Sequence, residues 1–141
     1  MALTRKAAET IIVSKVGGLL TAAGLSADHD GNNVDLDASL AWAARRIGIT
    51  LASPETATSA ELAGVAQDDY DDFLDLAEYG ALISIQGNLA LVDITAGPRK
   101  EELSQLTDKV ERMLEARRKR IEEIGDPVSY KYIALDIATV A

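Results

Sequence analysis

The sequence of 141 residues is 48% hydrophobic and 26% charged, with no apolar run long enough to cross a bilayer, so it reads as one soluble domain and not as two. It has no cysteine and one histidine, His29, which excludes disulfides, thiolate zinc sites, cysteine nucleophiles and histidine metal clusters. Its net charge of −9 argues against a nucleic-acid reader that works by neutralising phosphates.

Residues 3–25 place Ala7, Ala8, Ile11, Ile12, Val16, Leu19, Leu20 and Ala23 at helical spacing, with Arg5, Lys6, Glu9 and Lys15 largely on other faces. That pattern predicts an amphipathic helix. The N-terminus lacks the charged-then-apolar order of a secretory signal, which predicts a chain made and used in the cytoplasm. Each glycine of the Gly17-Gly18 pair costs about 1 kcal/mol relative to alanine inside a helix, so the pair predicts a kink or a close contact with another backbone. A polar run over residues 26–33 ends this helix, and Asp35 or Asp37 is placed to cap a second one that runs through Leu40, Trp42, Ala43, Ala44 and Ile47 to Gly48.

Ser53-Pro54 ends any continuation, and Thr58 and Glu61 have capping-box spacing, which predicts a short helical turn over residues 59–65. A longer helix is expected over residues 68–86, with Tyr70, Phe73, Leu74, Ala77, Leu82 and Ile83 as its apolar stripe and Gly87-Asn88 as its stop. Residues 89–95 read as a short strand or an extended connector. The last helix, over residues 100–124, repeats Leu103, Leu106, Val110, Met113, Leu114, Ile121 and Ile124. It would be about 38 Å long, so its second half, from Arg117 to Arg120, is expected to project. Gly125-Asp126-Pro127 stops it, and residues 128–141 read as extended and β-prone. The fold class is therefore mainly α: a small helical bundle over residues 1–127 with a long C-terminal helix, then an extended C-terminal arm over residues 128–141.

Charge is polarised along the chain. Residues 28–78 hold twelve Asp and Glu against Arg45 and Arg46 alone, while residues 99–120 hold eight of the fourteen basic residues. The carboxylates Asp68, Asp69, Asp71, Asp72 and Asp75 lie in the first turns of the fourth helical segment, where the helix dipole favours them, and they read as a solvated acidic face. The basic run from Arg117 to Arg120 is flanked by Glu115, Glu122 and Glu123, so intrahelical pairs are its plain account. Ser26, Asp28, Asp30, Gly31 and Asp37 mimic the frame of a calcium loop, but Ser stands first, the shorter Asp stands last, and Asn33 replaces the usual apolar residue. A turn that caps two helices needs no metal. His29 has no Ser or Cys partner placed near it, and Gly97-Pro98-Arg99 lacks the repeated glycines of a phosphate loop, so no active site, cofactor or metal is expected.

The order of a helix, a polar Asp/Asn/Gly loop, a second helix, Phe73-Leu-Asp-Leu-Ala-Glu78, Gly87-Asn88, Val92-Asp93-Ile94-Thr95, Gly97-Pro98-Arg99, Leu103-Ser-Gln-Leu106, a long charged helix and an extended tail resembles one family. It is that of the small helical head–tail connector (adaptor) proteins of tailed bacteriophages. The resemblance implies a structural virion protein of the head–tail neck, assembled in the host cytoplasm, and not an enzyme. It implies a dodecameric ring of copies beneath the portal that prolongs the DNA channel, with a further connector, tail-terminator or tail protein on its other side. DNA would pass without sequence-specific binding, and no membrane is involved.

In such a ring the acidic face formed by Asp68, Asp69, Asp71, Asp72 and Asp75 is expected toward the channel or bulk solvent, where it repels phosphate. The arm, which cannot satisfy its own backbone as a lone strand, is expected on the portal through Tyr130, Tyr132, Ile133, Leu135 and Ile137. The alternatives are a calcium-responsive helical binding module using the loop at 26–37, and a phage assembly chaperone or other capsid-associated factor. An enzyme ranks last, because no nucleophile and base stand together.

Overall fold

Thr4 opens the first helix, its side chain accepting a hydrogen bond from the Ala7 amide at 3.1 Å. The computed structural model describes residues 2–89 and 97–124, and in them the chain forms five α-helices: α1 (Arg5–Ala22), α2 (Asp37–Arg46), α3 (Ser59–Leu62), α4 (Tyr70–Leu89) and α5 (Gly97–Glu123). Short 3₁₀ turns at Val34–Leu36 and Gln67–Asp69 lead into α2 and α4. The protein is a mainly helical bundle with a long helix toward its C-terminus, as the periodicity predicts. The arm at 128–141 and nearly all of the connector at 89–95 lie outside the described residues, Leu89 alone being seen as the last residue of α4.

Helix α4 is the centre of the bundle and packs against α1, α2 and α5. Its Phe73, Leu76, Ala77, Leu82 and Ile85 are fully buried, meeting Ile12, Val16 and Leu20 from α1, Leu40 and Ala44 from α2, and Val110 and Leu114 from α5 in one core. Burying each large apolar side chain contributes about 1.5–3 kcal/mol, which is why one helix apolar on several sides organises the others. Helices α4 and α5 run antiparallel, with Asp72 and Asp75 facing Arg120 and Glu78 facing Arg117.

Local signals end the first two helices. Gly24 (φ +78°) and Gly48 (φ +93°) take the left-handed conformation just past α1 and α2. The following amides close back onto the helix: Leu25 N–H to Leu20 C=O at 2.8 Å, and Ile49 N–H to Ala44 C=O at 2.9 Å. Helix α3 carries the expected capping box: the Glu61 amide donates to Thr58 Oγ1 at 3.2 Å, and the Thr58 amide donates to Glu61 Oε1 at 3.1 Å.

Four expectations are corrected. Gly17-Gly18 makes no close contact with another backbone: a Cβ at Gly18 would have nothing within 4 Å, and one at Gly17 would meet only Val13 of the same helix. The close approach is instead at Gly80, against Ser39 and Trp42 of α2. Helix α4 does not stop at Gly87-Asn88 but continues to Leu89, because Leu89 is buried and Asn88 Nδ2 donates to the Ala23 carbonyl at the end of α1 at 3.3 Å. The second half of α5 does not project, since Ile121 and Ile124 are buried at its end.

The fourth correction concerns Arg5 and Glu9, which face the interior. Arg5 Nε donates to Glu9 Oε2 at 2.7 Å, Nη1 to Thr56 Oγ1 at 2.8 Å and the Ala57 carbonyl at 3.2 Å, and Nη2 to the Asn33 carbonyl at 2.7 Å, while Asp37 pairs with the same guanidinium. Glu9 in turn accepts from the amides of Gly31 at 2.8 Å and Asn33 at 3.2 Å. Burial opposes the charge on Arg5, but Glu9 and Asp37 outweigh it, so its pKa is raised above the ordinary arginine value. One buried ion pair thus ties α1 to both loops that flank α2.

Candidate functional site

The acidic residues of α4 and of the turn that leads into it divide by position. Asp68 and Asp71 are exposed, and Asp69, Asp72 and Asp75 are half-buried. Arg120 Nη2 stands 3.0 Å from Asp72 and 3.5 Å from Asp75, so α5 neutralises the inner part of the acidic face across the helix pair. The basic run therefore splits its roles. Arg118 pairs within α5, with Glu122 at 3.1 Å and Glu115 at 3.7 Å, as the spacing predicts, whereas Arg117 and Arg120 reach across to α4.

Glu78 is the deepest carboxylate of this face, 4% exposed. Lys15 of α1 approaches Oε2 at 3.6 Å and Arg117 of α5 approaches Oε1 at 3.0 Å, yet Oε1 accepts no hydrogen bond of good geometry. The attraction at Glu78 is Coulombic, between a buried anion and two half-exposed cations, and it joins three helices.

Trp42 and Arg46 of α2 cover the end of the α4–α5 pair. The Arg46 guanidinium lies 5.5 Å from the centre of the Trp42 ring, and Trp42 stands 6.4 Å from Tyr79. Arg46 also donates to the carbonyls of Ile121 and Ile124, each at 3.4 Å, where the last turn of α5 lacks helical partners.

The loop at 26–37 spends its oxygens on its own backbone and on α1. Asp30 Oδ1 accepts from the Asn32 amide at 2.9 Å, Asp35 Oδ2 from the Ser26 amide at 2.7 Å, and Asp37 Oδ1 from the Thr56 hydroxyl at 3.0 Å while pairing with Arg5. Buried Asn33 donates to the carbonyls of Ser26 and Asp28. Among the described residues no three His, Cys, Asp or Glu side chains converge on a point that would hold a metal ion. The carboxylates of Asp30, Asp35 and Asp37 thus organise the turn and tie it to its neighbours.

His29 Nδ1 lies 3.4 Å from Thr10 Oγ1, but that hydroxyl donates its proton to the Lys6 carbonyl at 2.8 Å, so the imidazole does not activate it. Tyr130, Tyr132, Ile133, Leu135 and Ile137 lie outside the described residues. No helix among the described residues is long and apolar enough to cross a membrane.

The class that the structure defines is a small helical bundle centred on one buried helix, with its polar side chains engaged in holding helices together. Compared with protein-family models, curated proteins and solved structures, the chain matches none.

Proposed function

We propose that the chain is a structural head–tail connector, which packs side by side with copies of itself in a ring beneath a phage portal. The observation that carries the reading is the division of α5. Among its described side chains, this helix of 27 residues, about 40 Å long, buries Val110, Leu114 and Ile121 on its own bundle, with Leu106 and Met113 packed beside them. Lys109, Glu111, Arg112, Glu115, Arg118, Lys119 and Glu122 are exposed along its other sides, a mixed-charge surface suited to a neighbouring subunit that presents the opposite signs in register.

In this reading Asp68 and Asp71 face the channel, where negative charge lets DNA slide past without binding. The arm at 128–141 reaches the portal, and the opposite rim of the ring meets a further connector, tail-terminator or tail protein. The head–tail neck of the virion is its place of action, reached from the host cytoplasm during assembly.

The test is electron microscopy and native mass measurement of the full chain mixed with portal protein. A rotationally symmetric ring of many copies on each portal is expected. A single bound copy, or none, overturns the proposal.

A further inference from the structure

Asp30-Gly31 is the one Asp-Gly bond in the chain, and the sequence has no Asn-Gly. At such a bond no side chain shields the amide nitrogen that follows the carboxyl, so that nitrogen can close on the Asp side chain. In that reaction the Gly31 nitrogen bonds to Asp30 Cγ, and a carboxyl oxygen leaves as water with the amide proton and one proton from solvent. Water then opens the cyclic imide at the former backbone carbonyl. The nitrogen regains its proton, and the chain now runs through the side-chain carboxyl as isoaspartate. The water lost is regained, so no cofactor, oxidant or enzyme is needed.

The structure holds this nitrogen away from the reaction. The Gly31 amide donates to Glu9 Oε1 at 2.8 Å, and Glu9 is fully buried and fixed by Arg5 Nε at 2.7 Å. Gly31, with φ +96°, lies against the first turn of α1: a Cβ on it would stand 3.6 Å from Lys6 Cβ and 3.7 Å from the Lys6 amide nitrogen. Asp30 Oδ1 accepts from the Asn32 amide at 2.9 Å, which ties the carboxyl to the amide beyond Gly31. The imide nitrogen carries no hydrogen, so ring closure would leave a buried carboxylate oxygen without its donor. The same anion opposes the negative charge that the nitrogen gains as its proton leaves. Asp30 itself is exposed, so water is at hand once the nitrogen is free.

We propose that Asp30-Gly31 is an isoaspartate-forming site held closed by the Arg5–Glu9 pair, and that it reacts only when the loop at 26–33 parts from α1. The added backbone methylene then carries the Gly31 amide off Glu9, so each event loosens the loop that the pair holds. This inference does not depend on the connector reading.

The test follows isoaspartate at position 30 in the full chain at neutral pH, by peptide mapping with fragmentation that distinguishes the two linkages. The folded parent is expected to convert at least about tenfold more slowly than the chain unfolded in urea. Arg5→Met with Glu9→Leu frees the amide, and with its helical content retained in circular dichroism it is expected to convert about tenfold faster than the parent. Should that pair fail to fold, Asp30→Asn supplies the reading. It closes to the same imide with loss of ammonia, which changes the mass, and its rate should rise below the urea transition together with hydrogen exchange at the Gly31 amide. A folded parent that converts as fast as the unfolded chain overturns the proposal. One that converts faster makes Glu9 a base that draws the proton from Gly31, and overturns it too. So does unchanged conversion in a folded Arg5→Met, Glu9→Leu chain, or conversion of Asp30→Asn that follows global unfolding alone.

Discussion

A Cβ placed on Gly80 would stand 2.9 Å from the Cβ of Ser39 and 3.2 Å from its Cα, so α2 and α4 cross where position 80 carries no side chain. Gly80 has ordinary helical geometry, with no positive φ, and what it supplies is space. Ser39 is itself buried and donates back to the Leu36 carbonyl at 3.1 Å, which leaves it little room to yield.

Gly80→Ala therefore separates the two helices. Its overpacking cost of about 1–3 kcal/mol exceeds the helix-propensity gain of about 1 kcal/mol, for a net loss on the order of 1 kcal/mol. Gly18→Ala, with nothing within 4 Å, is expected to stabilise α1 by about 0.5–1 kcal/mol. Urea denaturation of the two variants checks the pair of signs, and Ser39→Gly should recover part of the Gly80→Ala loss.

Arg5 and Glu9 give the largest expected single-residue effect. Arg5→Ala leaves the fully buried Glu9 carboxylate without its cation and is expected to cost about 3–5 kcal/mol. The paired replacement Arg5→Met with Glu9→Leu removes both charges and costs less than Arg5→Ala alone, although the amides of Gly31 and Asn33 then lose their acceptor. Thermal unfolding of the single and double variants measures the asymmetry. Equal losses would show that the charge itself is not what matters.

How much of this was legible in the sequence follows from the range of each signal. The capping box of Thr58 and Glu61 and the glycine stop at Gly48 are local chemistry, so the sequence pattern foretells them, whereas α1 ends at Ala22 with Gly24 just beyond it, ahead of the polar run at 26–33 expected to end it. Polarity alone places Arg5 and Glu9 on the solvent side of α1. Their spacing with Ile12 and Val16, at 5, 9, 12 and 16, already puts them on the buried face. The acidic face was readable as a run of carboxylates, but its cations Arg117 and Arg120 come from another helix, and no neighbouring residue announces such a pairing. Gly80 was invisible for the same reason, since its requirement comes from Ser39 on α2.

Glu61 predicts a pH dependence confined to the acid range. The amides of Thr58 and Ala52 donate to its carboxylate and hold its pKa below the ordinary glutamate value. A carboxyl with a lowered folded-state pKa binds its proton more readily in the unfolded chain. Its stabilisation is therefore fully present above the unfolded value of about 4.3 and is lost as pH falls through the lower folded value. The urea midpoint of Glu61→Gln should lie below that of the parent at pH 6 and approach it toward pH 3. A gap that does not change with pH would show that the capping geometry alone, and not the charge, carries the effect.

The acidic face of α4 supplies a test that separates solvent-facing carboxylates from structural ones. Asp68 and Asp71 are exposed at the start of α4, whereas Asp72 and Asp75 share Arg120. Asp68→Lys with Asp71→Lys forfeits favourable dipole interactions of about 0.3–1 kcal/mol each but leaves the α4–α5 pair intact. Asp72→Lys with Asp75→Lys sets two cations against Arg120, so it should loosen α5 more at low than at high ionic strength. In portal complexes the 68/71 variant should retain DNA, with retention falling as salt is raised, because two carboxylates become cations and each subunit's charge rises by about four units. Chemical denaturation at two salt concentrations, together with DNA retention by portal complexes, reads both effects. Retention unchanged in the 68/71 variant would place that face away from the channel, and a greater loss of stability there than in the 72/75 variant would show that Asp68 and Asp71 are structural.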